Sequence, residues 1–252
     1  FYIGDTHMKD ILQDIVKHTH SLGFIDLVKI VGDDTTTEMD AMAEDRSVVV
    51  KAEFNKPVPE MKGTFGMPNL GKLDIILKCP EYKDKAEITI NTQDRNGETV
   101  PTGLHFENAN KDFKNDYRFM NSEIVSEKLK SVKFRGVNWH VTMKPSMPAV
   151  QRLNFQAQAN SEENVFTVLT EDNNLKFKFG DASSHAGEFV FETGITGELT
   201  KSWSWPVAQV TQILKLIETA DCEMSFSDDG ALQITLDSGI GKYQYILPAQ
   251  SK

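Results

Sequence analysis

Apolar residues recur at helical spacing in four segments of the chain, two in each half. The predicted helices span 5–21, a segment that begins near 68 and stops at Pro80, 146–159, and a segment from 204 to 217. The first is ended by Gly23, and its apolar face consists of Met8, Ile11, Leu12, Ile15 and Val16. Ser146 is placed to cap the third helix, because a serine hydroxyl can accept a hydrogen bond from a first-turn amide.

Between these helices, shorter stretches alternate apolar and polar residues, which is the pattern of half-buried β-strands. Polar turns such as Asp229-Gly230 separate one stretch from the next. The predicted strands form four clusters: 24–31, 36–42 and 47–54; 86–91, 99–107 and 112–119; 164–170, 175–180 and 187–193; 222–227, 231–236 and 242–247.

The order helix, strands, helix, strands therefore occurs twice. The two halves also share a short match, because Ile-Leu-Lys precedes a strand at a similar distance in each, at 76–78 and at 213–215. Self-similarity at so long a period indicates duplicated units. The polar segment between the halves carries isolated apolar residues and lacks the Gly/Ser bias of a flexible linker. The sequence thus predicts domains at 1–120 and 136–252, joined by an ordered connector at 121–135.

Charge, cysteine content and the length of apolar runs limit the possible partners and location of the protein. The net charge is −10 and the pI is near 5.1, which by itself argues against a partner as anionic as nucleic acid. Cys79 and Cys222 are too few for a disulfide framework, and buried thiols in a reducing cytoplasm are expected. No apolar run approaches the roughly 18 to 20 residues of a membrane-spanning helix, so no membrane association is expected.

Motifs that carry catalytic chemistry are missing from the sequence. The Gly-rich stretch 63–72 lacks the spacing of a phosphate-binding loop, and the histidines show no metal-ligand spacing. Paired acids, such as those at 162–163, fit turns. We therefore predict no catalytic residues, no metal and no cofactor.

At the residue level, both halves resemble the trimeric DNA sliding clamps, the family of proliferating cell nuclear antigen and of phage processivity factors. The stretches that carry the resemblance are 25–30, 40–43, 48–50, 230–234, 237–239 and 243–249, the last reading Tyr-Gln-Tyr-Ile-Leu-Pro-Ala. The resemblance implies an α+β fold of two repeated clamp domains, each with two helices packed on antiparallel sheet. It also implies a homotrimeric ring, closed head to tail, with strands continuing across each subunit boundary and helices lining the hole.

That architecture demands a basic surface on the helices, since these would face double-stranded DNA. Segments 144–160 and 200–217 contain no Asp or Glu, although about five acids would be expected there at the average frequency of the chain. Neutral and basic side chains attract phosphate without reading bases, so binding would be independent of sequence. The first half fits less well, because its helices also carry Asp10, Asp14 and Asp74. The predicted DNA-binding residues are Lys9, Lys17, Lys72, Lys78, Lys144, Arg152, Lys201 and Lys215.

The resemblance also implies a site for DNA polymerase and clamp loader, which bind clamps through short peptides in an apolar groove beside the last strand. The matching residues are Tyr245, Ile246, Leu247, Pro248 and Ala249, with Ile124, Val125 and Leu129 from the connector. Because side chains alternate along a strand, one of Ile246 and Leu247 is expected to face inward.

Two other functions stay open at this point. A structural or scaffold protein built from duplicated α+β domains would explain the repeat, and an enzyme with a split active site would explain the two halves. Acid-free helices favour the processivity factor, since a scaffold has no reason to exclude Asp and Glu there. The length favours a viral replication system, hence a host-cytoplasmic location, or a nuclear one in a eukaryotic cell.

Overall fold

The computed structural model describes residues 4–130 and 134–250, and it shows an α+β fold with antiparallel sheets. The helices are α1 (Gly4–His18), α2 (Leu70–Leu77), α3 (Ser122–Lys128), α4 (Met147–Ala159) and α5 (Val207–Leu214). Among these residues, none of the helices combines the length and the apolar character that crossing a bilayer requires.

The chain forms two compact units, and each draws on more than one stretch of sequence. The first comprises the described residues of Phe1–Glu44, Val50–Lys133 and Gly239–Lys242; the second comprises those of Asp45–Val49, Phe134–Ser238 and Tyr243–Lys252. The segment predicted as a connector, 121–135, contains α3, and its part up to Lys130 belongs to the first unit.

The first unit contains α1, α2, α3 and two sheets. Its strands are β1 (Val28–Gly32), β2 (Thr37–Met42), β3 (Val49–Phe54), β4 (Gly63–Met67), β5 (Glu87–Arg95), β6 (Glu98–Glu107) and β7 (Lys114–Arg118). The sheet orders are β4-β1-β2-β3 and β5-β6-β7. The predicted apolar face of α1 is buried from Met8 to Val16, and α1 packs beside α2.

The second unit contains α4, α5 and the remaining strands. These are β8 (Val141–Met143), β9 (Val165–Glu171), β10 (Asn174–Phe179), β11 (Gly187–Glu192), β12 (Trp203–Pro206), β13 (Asp221–Ser227), β14 (Ala231–Asp237) and β15 (Gly241–Pro248). They are ordered β11-β10-β9-β12 and β15-β14-β13-β8. Ser146 caps α4 as predicted, since its hydroxyl accepts a hydrogen bond from the Ala149 amide at 3.2 Å.

The two units repeat the same topology. Each runs through a helix, four strands, a helix and three strands, and the sheet β4-β1-β2-β3 corresponds strand for strand to β12-β9-β10-β11. The predicted fold class, two repeated domains with two helices on antiparallel sheet, is confirmed. In each unit, however, the sequence patterns missed the strand before the second helix, β4 or β12.

The start of the fourth helix was predicted wrongly. Trp203–Pro206 is strand β12, and α5 begins at Val207. The cause is Trp205, which is fully buried and donates its indole N–H to the carbonyl of Leu247 at 2.9 Å. Its ring also meets the edge of Phe226, with 5.7 Å between centroids, so packing in the core fixes an extended backbone at this point.

Candidate DNA-facing and partner surfaces

The helices of the second unit expose no acidic side chain. Along α4 the solvent-exposed positions include Gln151 and Gln158, and along α5 the partly exposed ones include Gln209 and Gln212. The predicted lysines lie at the ends of these segments: Lys144 is exposed before α4, Lys201 before β12, and Lys215 directly after α5. The structure thus leaves all three ammonium-bearing side chains exposed.

Arg152 differs from these lysines because its guanidinium contacts the protein itself. It donates to the carbonyl of Val190 on β11 at 3.0 Å, and it lies 5.4 Å from the centroid of the Phe189 ring. The sequence grouped Arg152 with the DNA-facing cations, whereas the structure points it at the neighbouring strand. Its role in DNA binding stays a prediction, but a weaker one than for Lys144.

In the first unit, the predicted cations are partly engaged. Lys9 donates to the Tyr82 carbonyl at 2.7 Å, and Lys78 pairs with Asp74 at 2.8 Å one helical turn away. Lys72 is exposed on α2, and Lys17 is exposed near the end of α1. The structure therefore leaves Lys72 better placed than Lys9 to meet an external anion.

Asp10, Asp14 and Asp74 weaken the prediction of a basic surface on α1 and α2, but two of these three acids are shielded in the structure. Asp14 has only 10% of its side chain exposed and lies 3.6 Å from His18, while Asp74 is neutralised by Lys78. Asp10 is exposed. Burial lowers the pKa of His18, which disfavours a positive charge on this side chain.

The predicted partner residues on the last strand are mostly buried. Tyr245, Ile246 and Leu247 are 0%, 4% and 0% exposed, whereas Pro248 is exposed and Ala249 is partly so. Alternation places one of Ile246 and Leu247 on the inward face, and the structure buries both side chains within the chain. Within the chain, a bound peptide would find only Pro248 and Ala249 of this set accessible.

On the connector, the predicted residues divide in the same way. Val125 is fully buried and Leu129 is 8% exposed, while Ile124 is 48% exposed. Val125 anchors α3 against β4, where Gly66 exchanges two backbone hydrogen bonds of 2.8 Å with Met120. The structure therefore assigns the buried pair to packing and leaves Ile124 as the accessible apolar side chain.

Two open strand edges were not singled out from the sequence. Among the described residues β7 pairs only with β6, and β11 pairs only with β10. Beside β11, α4 exposes 70% of Phe155, which lines a shallow groove with Arg152 and Phe189. An exposed phenylalanine on an otherwise polar helix was the available signal.

This fold is that of the DNA sliding clamps. No family model matches the sequence, and no curated protein matches it either. Solved structures match over nearly the whole chain. A structure of the C-terminal region of FEN-1 bound to A. fulgidus PCNA aligns with a TM-score of 0.68 and 10% identity, covering 97% of this chain and 96% of that one.

PCNA from Entamoeba histolytica aligns with a TM-score of 0.63 and 15% identity, covering 97% of this chain and 95% of that one. PCNA from Thermococcus kodakaraensis gives a TM-score of 0.63 and 15% identity, with coverage of 97% and 96%. At these identities the likeness establishes the sliding-clamp fold, and individual residue roles have to be argued from the chain itself.

Proposed function

We propose that this protein is a sliding clamp, a non-catalytic processivity factor that encircles duplex DNA and tethers a DNA polymerase to it. The observation that carries the proposal is the charge segregation on a clamp fold. The chain has a net charge of −10, yet both helices of its second unit lie in segments with no Asp or Glu. The acids are thereby kept for other surfaces, where they discourage non-specific contact with DNA.

The DNA-facing surface is proposed to consist of exposed lysines set among neutral side chains. Such a surface attracts phosphates by charge and has no groups committed to base edges, so its energy changes little as the duplex moves past. The set best supported by exposure is Lys17, Lys72, Lys144, Lys201 and Lys215. Lys9, Lys78 and Arg152 contribute less, because each already has an acceptor or acid within the chain.

The proposed assembly is a homotrimer closed head to tail. Among the described residues, β7 in the first unit and β11 in the second each lie at an edge of their sheet. Pairing β7 of one copy with β11 of the next would satisfy backbone groups that otherwise invite aggregation, and three such contacts close a ring. The exposed Phe155 beside β11 would be covered in the same contact.

Polymerase and clamp loader are proposed to bind through short apolar peptides. The A. fulgidus relative in fold was solved with a C-terminal region of FEN-1 bound, which is the kind of contact proposed here. In this chain the accessible candidates are Ile124, Pro248 and Ala249. The buried candidates include Val125 and Leu247, and they would pack beneath the peptide-binding residues.

The test is primer extension on a long primed template with the cognate polymerase, clamp loader and ATP. Adding the chain should lengthen products only when the loader is present. Reversing four proposed DNA-facing charges should abolish the effect: Lys72→Glu, Lys144→Glu, Lys201→Glu and Lys215→Glu. A matched control reverses four exposed lysines elsewhere: Lys56→Glu, Lys83→Glu, Lys111→Glu and Lys242→Glu.

The control variant should retain most of the stimulation, because the same change in net charge is placed away from the helices. If the chain is trimeric and loaded yet product length never changes, the processivity proposal fails. The duplicated structural protein then becomes the better account. Equal loss in both variants would show that net charge matters and that the helix surface has no special role.

A further inference from the structure

One histidine links the edge strand β7 to its neighbour β6. His105 lies on β6, where its Nδ1 is 2.8 Å from Oδ1 of Asp116 and its Nε2 is 2.8 Å from Oε1 of Glu107. Asp116 stands directly opposite His105 on β7, whereas Glu107 lies two residues further along β6. Among the described residues β7 pairs with no strand other than β6. The imidazole ring therefore adds a side-chain link to the backbone pairing of this strand.

The number of protons in this link follows from its geometry. An ionised carboxylate can only accept hydrogen bonds, and a neutral imidazole carries a single N–H. Both contacts are hydrogen bonds only when both ring nitrogens are protonated, so the arrangement requires the imidazolium form. The pKa values agree with this, because the bonds to Glu107 and Asp116 raise the pKa of His105 and lower the pKa of both carboxyl groups.

The surrounding charges also favour the charged ring. The solvent face of the sheet β5-β6-β7 consists of three cross-strand rows: Glu87, Glu107 and Lys114; Thr89, His105 and Asp116; Asn91, Gly103 and Arg118. Lys114 lies 3.5 Å from Glu107. Besides the bond from His105, a hydrogen bond from Asn91 and the charge of Arg118 lower the pKa of Asp116. With a charged ring, three cations stand among three carboxylates; loss of its proton leaves two cations and turns a nitrogen lone pair towards a carboxylate oxygen.

We propose that His105 is a proton-operated clip on the edge strand β7. In its charged form the ring holds Asp116 and Glu107 together, and β7 stays paired with β6. After loss of the proton one of the two contacts becomes repulsive, so β7 separates from β6 more often. The clip is closed at pH 6 and is released as the pH rises through the raised folded-state pKa of His105.

The strand β7 is the part of this sheet most able to respond. It has five residues, whereas β5 has nine and β6 has ten. Its outer side chains Lys114, Asp116 and Arg118 are exposed, and Lys114 reaches β6 through Glu107, the same carboxylate that His105 holds. Local opening of a short edge strand costs less than global unfolding, so one titrating contact can change how often it occurs.

Hydrogen exchange of the β7 amides tests the clip. Protection factors, which are corrected for the pH dependence of intrinsic exchange, are measured by mass spectrometry at pH 6 and pH 9 for residues 113–119 and, as a reference, for β2. A tenfold difference in proton affinity between the closed and the open strand changes the opening equilibrium by up to tenfold. Wild-type protection of β7 should therefore be about threefold to tenfold lower at pH 9 than at pH 6, relative to β2.

Three variants separate the clip from general effects of pH. His105→Gln cannot gain a proton, so its β7 protection should be low and should change less than about 1.5-fold between the two pH values. The matched control His185→Gln replaces an exposed histidine of the second unit and should behave as wild type. Asp116→Asn keeps an acceptor at the same place and removes its charge, so it should fold as wild type does and show a smaller pH effect.

Equal wild-type protection of β7 at both pH values would overturn the clip, and so would a pH effect that persists in His105→Gln. Nitrogen-15 NMR of the wild-type chain gives a readout that needs no variant to fold. The His105 ring should be mainly protonated at pH 6.5, where an ordinary histidine is about half protonated, and a mainly neutral ring would overturn the proposal. All measurements use a concentration at which sedimentation velocity shows the same oligomeric state at both pH values, so the result does not depend on the proposed ring.

Discussion

Gly66 fixes how the connector helix sits on the first unit, and replacing it with alanine tests that packing. The glycine lies in β4, where its amide and carbonyl both bond to Met120. A β-carbon added there would lie 2.8 Å from Cγ2 of Val125, 2.9 Å from its Cβ and 3.0 Å from Cβ of Met120. Carbon atoms in ordinary contact stay about 3.5–4.0 Å apart. The helix α3 would therefore have to move away from the sheet.

The expected cost follows from that overlap. Overpacking by one methyl group in a filled core costs about 1–3 kcal/mol, which lowers the melting temperature of a chain of this size by about 2–10 °C. Val125→Ala alone should cost about 2–3 kcal/mol, because it removes two buried carbons and leaves a cavity. In the double variant the overlap with Cγ2 is removed, whereas the Cβ atoms of residue 125 and of Met120 stay, so the two costs should add only in part.

The measurement is a thermal and urea denaturation series with Gly66→Ala, Val125→Ala and the double variant. Gly136→Ala is the control, because a β-carbon at Gly136 meets no atom within 4 Å. The double variant should lose less stability than the sum of the two single losses, and the control should be within about 0.5 kcal/mol of wild type. Additive losses, or a Gly66 variant as stable as the control, would refute the packing argument.

Three further predictions concern single side chains. Hydrogen bonds that His105 donates to the carboxylates of Glu107 and Asp116 raise its pKa, so its contribution to stability is present below pH 6.5 and lost as the pH rises through the folded-state pKa. The difference in urea midpoint between wild type and His105→Gln should thus be larger at pH 6 than at pH 9. Burial raises the pKa of Cys222 to about 12, so iodoacetamide at pH 8 should modify it only after unfolding, as peptide mass spectrometry would show. Trp205→Phe should cost about 2–4 kcal/mol in unfolding free energy, since it leaves the Leu247 carbonyl unsatisfied, whereas exposed Phe155→Ala should cost less than about 0.5 kcal/mol.

Hydrophobic periodicity predicted the helices and strands that bury one face. It failed where a contact with a distant residue fixes the backbone conformation. The apolar face of α1 and the Ser146 cap of α4 follow from local spacing. Strand β4 was missed because Gly63 and Gly66 interrupt the alternation that marks a strand, whereas Gly66 is needed for the close approach of Val125. The Trp205 segment was missed because its extended form depends on a distant carbonyl.

The candidate site shows the same division. Exposure of Lys72, Lys144 and Lys215 agrees with their predicted role, since a lysine at a helix end needs no tertiary contact to stay in solvent. Engagement of Lys9 and Arg152 could not be predicted, because their acceptors are backbone carbonyls far away in sequence. Val125 was predicted to be accessible because it lies in a polar segment. In the structure it is buried, and it anchors α3 against β4.

Removing Arg152 from the DNA-facing set changes how the proposed clamp would stay on DNA. The exposed positions along α4 and α5 are then mostly glutamines and small residues, with lysines confined to the ends. An uncharged polar side chain releases no counterions, so each copy attracts the duplex only weakly, through its few lysines. Retention must then come from closure of the ring. Its stability then depends on the contacts at the three proposed subunit boundaries.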